Sequence, residues 1–203
     1  MTKIKICGMQ RKEDIEAVNA ILPDYVGYVF AKRSRRYITR DKAKELSSML
    51  DKRIIPVGVF VNESPECIRA LCEDKIIEVV QLHGNEDNDY IERLRKLTRC
   101  MIIQAVQIKT GADIVKAMES KADYILLDSG AGTGKTFDWN AIRQIDRPYF
   151  LAGGLGVENV VEAIKELSPY GVDASSLLET DGYKDKKKMA AFIENVRKEK
   201  KHG

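Results

Sequence analysis

The sequence predicts an α/β fold, a single (β/α)8 barrel of the TIM type. Three observations carry that expectation. Short apolar runs alternate with amphipathic helical patterns from one end of the chain to the other, the alternation repeats eight times, and most of the runs are nearly continuous in Val, Ile, Leu, Tyr and Phe. Continuous apolar strands are those of a parallel sheet covered on both faces. Strict β–α alternation implies right-handed crossovers between parallel neighbours. Units of roughly 25 residues place the chain at the compact end of the barrel range, with an open doubly wound sheet as the competing architecture.

The strand-like runs are Ile4–Cys7, Tyr25–Phe30, Ile54–Val61, Glu78–Leu82, Met101–Val106, Tyr124–Leu127, Tyr149–Ala152 and Gly171–Ala174. Between them, Arg11–Leu22 carries Ile15, Val18 and Leu22 at helical spacing, with polar Asn19 interrupting the stripe. Thr39 can cap a helix over Asp41–Leu50, and Ser64-Pro65-Glu66 reads as a helix entry with proline at the first helical position. Asp89–Leu97, Ala112–Ser120, Trp139–Ile145, Val157–Leu167 and Lys186–Glu199 complete the helical set. Neither a composition shift nor a linker divides residues 1–203, so one domain is expected, ending in a lysine-rich helix and tail over 184–203.

Composition excludes several classes. The chain has 44% hydrophobic and 32% charged residues, enough for both a core and a charged surface. A net charge of +3 does not by itself call for a nucleic-acid partner. No apolar run approaches the roughly 18 residues of a membrane span. The N-terminus enters a strand without the apolar segment of a signal peptide, so a cytoplasmic location and no membrane partner are expected. The four cysteines match no zinc spacing; Cys67, Cys72 and Cys100 read as small buried hydrophobes. Cys7 differs by standing at a strand end.

In a barrel, chemistry belongs to the loops that follow the strands. Cys7-Gly8 follows the first and is either a structural cysteine or a reactive thiol. Five cations in Lys32–Arg40 follow the second; arginine's planar fork there suits a carboxylate or phosphate, and a solvated loop is the plain alternative. His83, at the end of the fourth, is read as a hydrogen-bonding wall of a pocket in preference to a general acid or base. Asp128 ends the sixth apolar run, where desolvation would favour its acid form, or else it caps the following loop. Ser129–Thr136 resembles a nucleoside-triphosphate loop, but its first glycine is one residue late and no amphipathic helix continues it. A glycine-rich covering loop fits better. Leu151-Ala-Gly-Gly-Leu155 and Asp173-Ala-Ser-Ser176 follow the seventh and eighth strands, where small residues expose backbone N–H groups to a phosphate.

These stretches together resemble the phosphoribosylanthranilate isomerase family of tryptophan biosynthesis. The resemblance rests on Lys5-Ile-Cys-Gly8, Gly27–Phe30 with Arg36-Tyr37, Val57–Asn62, Gln81–Gly84, Leu126–Asp128, Gly132–Trp139, Gly153–Leu155 with Glu158-Asn159, and Asp173–Ser176 with Glu179. It implies an Amadori rearrangement of N-(5-phosphoribosyl)anthranilate to 1-(2-carboxyphenylamino)-1-deoxyribulose 5-phosphate, with no cofactor and no metal. By the same resemblance Cys7 is the general base, Asp128 the general acid and Arg36 the clamp on the anthranilate carboxylate. Gly153, Gly154, Ser175 and Ser176 fall on the phosphate loops, with Gly132 and Gly134 beside them. The implied partner is a small phosphosugar, bound by a monomer or homodimer without nucleic acid. Two departures stand out. Leu177-Leu178-Glu179 replaces the family's Gly-Val-Glu, which predicts a weaker phosphate grip or a reshaped loop, because leucine lacks glycine's freedom at positive φ. The loop after strand six is also shorter than the family's.

Overall fold

The computed structural model describes residues 1–128, 142 and 145–199. Eight strands close into a barrel: β1 (Lys3–Cys7), β2 (Tyr25–Val29), β3 (Ile55–Phe60), β4 (Val79–Leu82), β5 (Met101–Gln107), β6 (Tyr124–Asp128), β7 (Tyr149–Ala152) and β8 (Gly171–Ala174). Every strand pairs parallel with its sequence neighbour, and β8 pairs back onto β1. The closed barrel, and not the open sheet, is therefore the architecture.

The described helices are α1 (Lys12–Ile21), α2 (Arg40–Met49), α3 (Pro65–Glu73), α4 (Asn88–Leu97), α5 (Gly111–Met118), α6 (Val160–Leu167) and α7 (Lys186–Lys198). Their starts follow the sequence signals. Thr39 accepts from the Lys42 amide at 3.2 Å and Ser64 from the Cys67 amide at 3.3 Å ahead of Pro65; Asp87, which carried no such signal, accepts from the Tyr90 amide at 2.8 Å. Each satisfies an N–H that the first helical turn leaves without a partner. Asn19 interrupts the α1 stripe for a reason. Its side chain donates to the Met49 carbonyl (2.8 Å) and accepts from the Asp51 amide (2.9 Å), tying α1 to the end of α2. The expected helix over Trp139–Ile145 falls mainly outside the described residues.

A parallel barrel sorts its side chains by the period-two alternation of each strand. Ile4, Ile6, Val26, Tyr28, Val80, Leu82, Ile125, Leu127 and Val172 point outward into the layer shared with the helices. Tyr25, Val57, Val79, Ile103, Leu126 and Phe150 fill the interior, where Phe150 packs edge-on against Tyr25, Tyr124 and Tyr170. Cys7, Val29 and Val59 form a separate small cluster towards the C-terminal ends of the strands.

The same alternation turns Lys5 inward, between the outward Ile4 and Ile6. In the β1–β8 register Lys5 stands opposite Asp173. The two side chains meet at 2.8 Å, with Lys5 fully buried and Asp173 8% exposed. A lone charge there would cost several kcal/mol, so the register that closes the barrel also supplies the counter-ion.

Two expectations change here. Cys67 is exposed and Cys72 and Cys100 are half-buried, because Cys67 and Cys72 lie on α3 and Cys100 just before β5, outside the strand core. Lys184 reads from the sequence as the start of a charged, lysine-rich last helix and tail. It is buried instead, on a short ribbon of β9 (Glu179–Thr180) and β10 (Tyr183–Lys184) that precedes α7.

Candidate active site

A cavity of about 330 Å³ opens at the C-terminal ends of the strands. Cys7, Arg36, His83, Asp128, Gly153, Gly154, Ser175 and Ser176 all line it, so the topology brings together every predicted site residue among those described. Gly132 and Gly134 lie outside the described residues.

Cys7 is the last residue of β1 and is 9% exposed. Burial pushes its thiol above the ordinary cysteine value, and Asp173 adds to that push. Lys5 and Lys184 pull the other way without overcoming it. Lys5 is a fixed cation: burial opposes its charge, but Asp173 and Cys7 together hold its pKa above the usual lysine value. The resting thiol is thus protonated at neutral pH, close to a cation already engaged by a carboxylate.

Asp128 ends β6 with its side chain 26% exposed. Its Oδ2 lies 3.5 Å from His83 Nε2. The other ring nitrogen, Nδ1, is 3.1 Å from the Gln81 amide nitrogen. With that amide donating, Nδ1 accepts and the proton sits on Nε2, facing Asp128. His83 lines the cavity, and Gln81, two residues earlier on the same inward face, fixes its tautomer.

Arg36 is anchored from one edge. Its Nε and Nη2 reach the two oxygens of Glu179 at 2.6 and 2.9 Å, a bidentate grip, while Arg35 also meets Glu179 at 2.6 Å. Nη1 and the second N–H of Nη2 form the other edge of the fork. Gly8 makes room for this arrangement. Its φ is +92°, and a Cβ there would collide with Arg36 Cδ. Arg40, the last cation of the basic run, is drawn off to Asp74 at 2.5 Å.

The loops after β7 and β8 complete the cavity. Gly153 and Gly154 take φ of +90° and +66°, a left-handed pair that other residues adopt only with strain. Asn159 holds the turn, donating to the Gly154 carbonyl and accepting from the Gly156 amide, both at 2.9 Å. After β8, Ser175 Oγ donates to the Cys7 carbonyl at 2.9 Å, and Ser176–Leu178 forms a single 3-10 turn. Leu177 does not adopt positive φ. Its side chain lies outside the turn against Gly156 and is 51% exposed, so the substitution calls for no special backbone.

Three contributors were not singled out from the sequence. Asp173 and Glu179 appeared only inside motifs, and Lys184 appeared as one lysine in a run of them. The β1–β8 register would have exposed Asp173 as the partner of Lys5. Nothing in residue type or spacing separates Lys184 from its solvated neighbours.

Comparison with known proteins decides the family. Residues 4–195 match the family model for N-(5′-phosphoribosyl)anthranilate isomerase. The chain belongs to the N-(5′-phosphoribosyl)anthranilate isomerase family. A curated isomerase of this name from Thermoanaerobacter sp. (strain X514) is 47% identical over 97% of this chain and 98% of its own length. Another, from Endomicrobium trichonymphae, is 45% identical over 97% and 99%. Among solved structures, phosphoribosyl anthranilate isomerase from Thermotoga maritima superimposes with a TM-score of 0.90 at 37% identity, covering 98% of this chain and all of that one. A phosphoribosyl anthranilate isomerase in complex with reduced 1-(o-carboxyphenylamino)-1-deoxyribulose 5-phosphate gives a TM-score of 0.87 at 36% identity, with the same coverage. A further structure at 0.87 and 36% concerns monomers generated from the dimeric Thermotoga maritima enzyme.

Proposed function

We propose a division of labour for the isomerisation of N-(5′-phosphoribosyl)anthranilate, the reaction of this family in tryptophan biosynthesis. Asp128 is the general acid. It protonates the furanose ring oxygen, and the ring opens to a Schiff base. Cys7, as thiolate, then removes the proton from C2′, and the resulting enolamine tautomerises to the ketone. Such acid–base groups each contribute about 10²–10⁴-fold. The observation that carries the assignment is that a strand-end thiol and a strand-end carboxyl group line one cavity across a barrel whose interior is otherwise mostly filled by packed side chains.

The remaining residues bind and orient. Glu179 occupies the Nε–Nη2 edge of Arg36, which leaves the Nη1–Nη2 edge to take the anthranilate carboxylate end-on. The loops at Gly153-Gly154 and Ser175-Ser176 hold the phosphate, with the short turn at Ser176 beside it. Leu177 leaves that grip intact because its side chain is turned out of the loop. Asp173 Oδ1 and Gln81 Oε1 are buried and have no hydrogen-bond partner among the described residues. We further propose that the enzyme works in the cytoplasm on this small phosphosugar, as monomer or homodimer; no described helix is long and apolar enough to cross a membrane.

The test is optical. Adding the protein to N-(5′-phosphoribosyl)anthranilate should extinguish the anthranilate fluorescence, and a double Cys7→Ala, Asp128→Ala variant should leave it unchanged. Undiminished turnover by the double variant overturns the assignment.

A further inference from the structure

Lys184 is buried to 1% exposure of its side chain, yet it touches neither of the proposed reacting groups. An ammonium has three donors, and here all three are spent. Nζ donates to Glu179 Oε1 at 2.7 Å, to the Ser175 carbonyl at 3.0 Å and to Ser175 Oγ at 3.2 Å. The acceptors lead to two different parts of the site. Ser175 belongs to the loop after β8, and its Oγ bonds the Cys7 carbonyl at 2.9 Å. Glu179 holds the Nε–Nη2 edge of Arg36. One buried cation therefore sits between the loop assigned to phosphate and the arginine assigned to carboxylate.

Burying a lysine is costly even when it is paired. Glu179 already has two arginines, so it does not need a third cation for charge balance. The position makes sense if the cation does something that packing alone would not. Resting on the reading of the site above, we propose that Lys184 is a positioning residue that couples the two anionic ends of the substrate. Ordering of the Ser175 loop by a phosphate fixes the carbonyl and hydroxyl that hold Nζ. A fixed Nζ holds Glu179, and Glu179 sets the plane of Arg36 for the carboxylate. The cation also lies between the two bound anions and offsets their mutual repulsion. The device favours a ligand carrying both groups at the right separation over ligands carrying either one.

Two fragments measure this directly. Inorganic phosphate and anthranilate are used as separate inhibitors, alone and together, and the coupling factor is the ratio of anthranilate's inhibition constant without and with saturating phosphate. A coupling of this kind is reciprocal and measurable as a fold-change. The expected result is a coupling factor lower in Lys184→Met than in wild type by about fivefold or more, while each fragment alone still binds. Glu179→Gln, which interrupts the same chain at its next link, should lower the factor too. A purely structural lysine would change thermal stability and leave the factor alone, so equal factors in wild type and both variants overturn the proposal. If neither fragment inhibits the wild type, the underlying reading of the site fails; if both inhibit with unchanged coupling, only the role of Lys184 fails.

Discussion

The Lys5–Asp173 pair offers a quantitative handle on Cys7. The two charges sit side by side at 2.8 Å on adjacent strands, and both act on the thiol, in opposite senses. Replacing Lys5 with Met removes a cation that favours thiolate, and replacing Asp173 with Asn removes an anion that disfavours it. A unit charge about 4 Å away is worth roughly 1 kcal/mol at the dielectric of water and roughly 4 kcal/mol at an effective value of 20. With about 1.4 kcal/mol per factor of ten, the thiolate fraction at neutral pH should fall by roughly fivefold to several hundredfold in Lys5→Met and rise by a comparable factor in Asp173→Asn. Each single variant leaves a buried charge unpaired and should lose about 3–5 kcal/mol of stability. The double variant Lys5→Met, Asp173→Leu removes both charges, so it should be better folded than either single and return Cys7 close to its wild-type titration. The assay is the ultraviolet absorbance of thiolate against pH, with the Cys7→Ser protein subtracted as background. Wild type should begin to ionise Cys7 only above the ordinary cysteine range, and kcat/KM should still be climbing there. Movement of both single variants in the same direction would refute the account, as would a wild-type thiol that ionises below the usual range.

Arg36→Met should raise KM by about tenfold or more and spare kcat, since a lost charge-assisted grip costs roughly 1.5–3 kcal/mol; steady-state kinetics with the intact substrate checks it. Gly8→Ala should mimic it in part, through strain at φ +92° and displacement of Arg36, with a loss of about 1 kcal/mol or more in thermal melts. Arg36 and Lys184 hold the Glu179 carboxyl below its ordinary value even though burial alone would raise it. Its stabilisation is therefore present above the ordinary carboxylate value and lost as pH falls below it. The stability gap between wild type and Glu179→Gln, measured by urea melts, should be full at pH 7 and narrow below about pH 4.5.

Much of this site could be read from the chain because barrels put chemistry in a fixed place. Once eight strand runs were counted, Cys7, Asp128 and the Gly153-Gly154 and Ser175-Ser176 loops had to converge at one rim. Strand ends such as Tyr149–Ala152 and Gly171–Ala174 were legible to the residue because flanking polar and glycine positions bound the apolar runs. What sequence did not reveal depends on contacts distant along the chain. The Arg36 fork is set by Glu179, 143 residues away, and the charge beside Cys7 by Asp173, 168 residues from Lys5. Lys184 looked like tail because burial of a lysine is decided by what surrounds it, here a ribbon of two two-residue strands between β8 and the last helix. Leu177 looked like a defect because its sequence position suggested a glycine's backbone, whereas the chain places an ordinary φ there.

The central claim is that Cys7 and Asp128 do the proton transfers, and single-turnover rates at saturating substrate test it most directly. Cys7→Ser and Asp128→Asn should each slow the conversion by about two decades or more while KM stays within a few-fold of wild type. A near-wild-type rate in either variant would contradict the account.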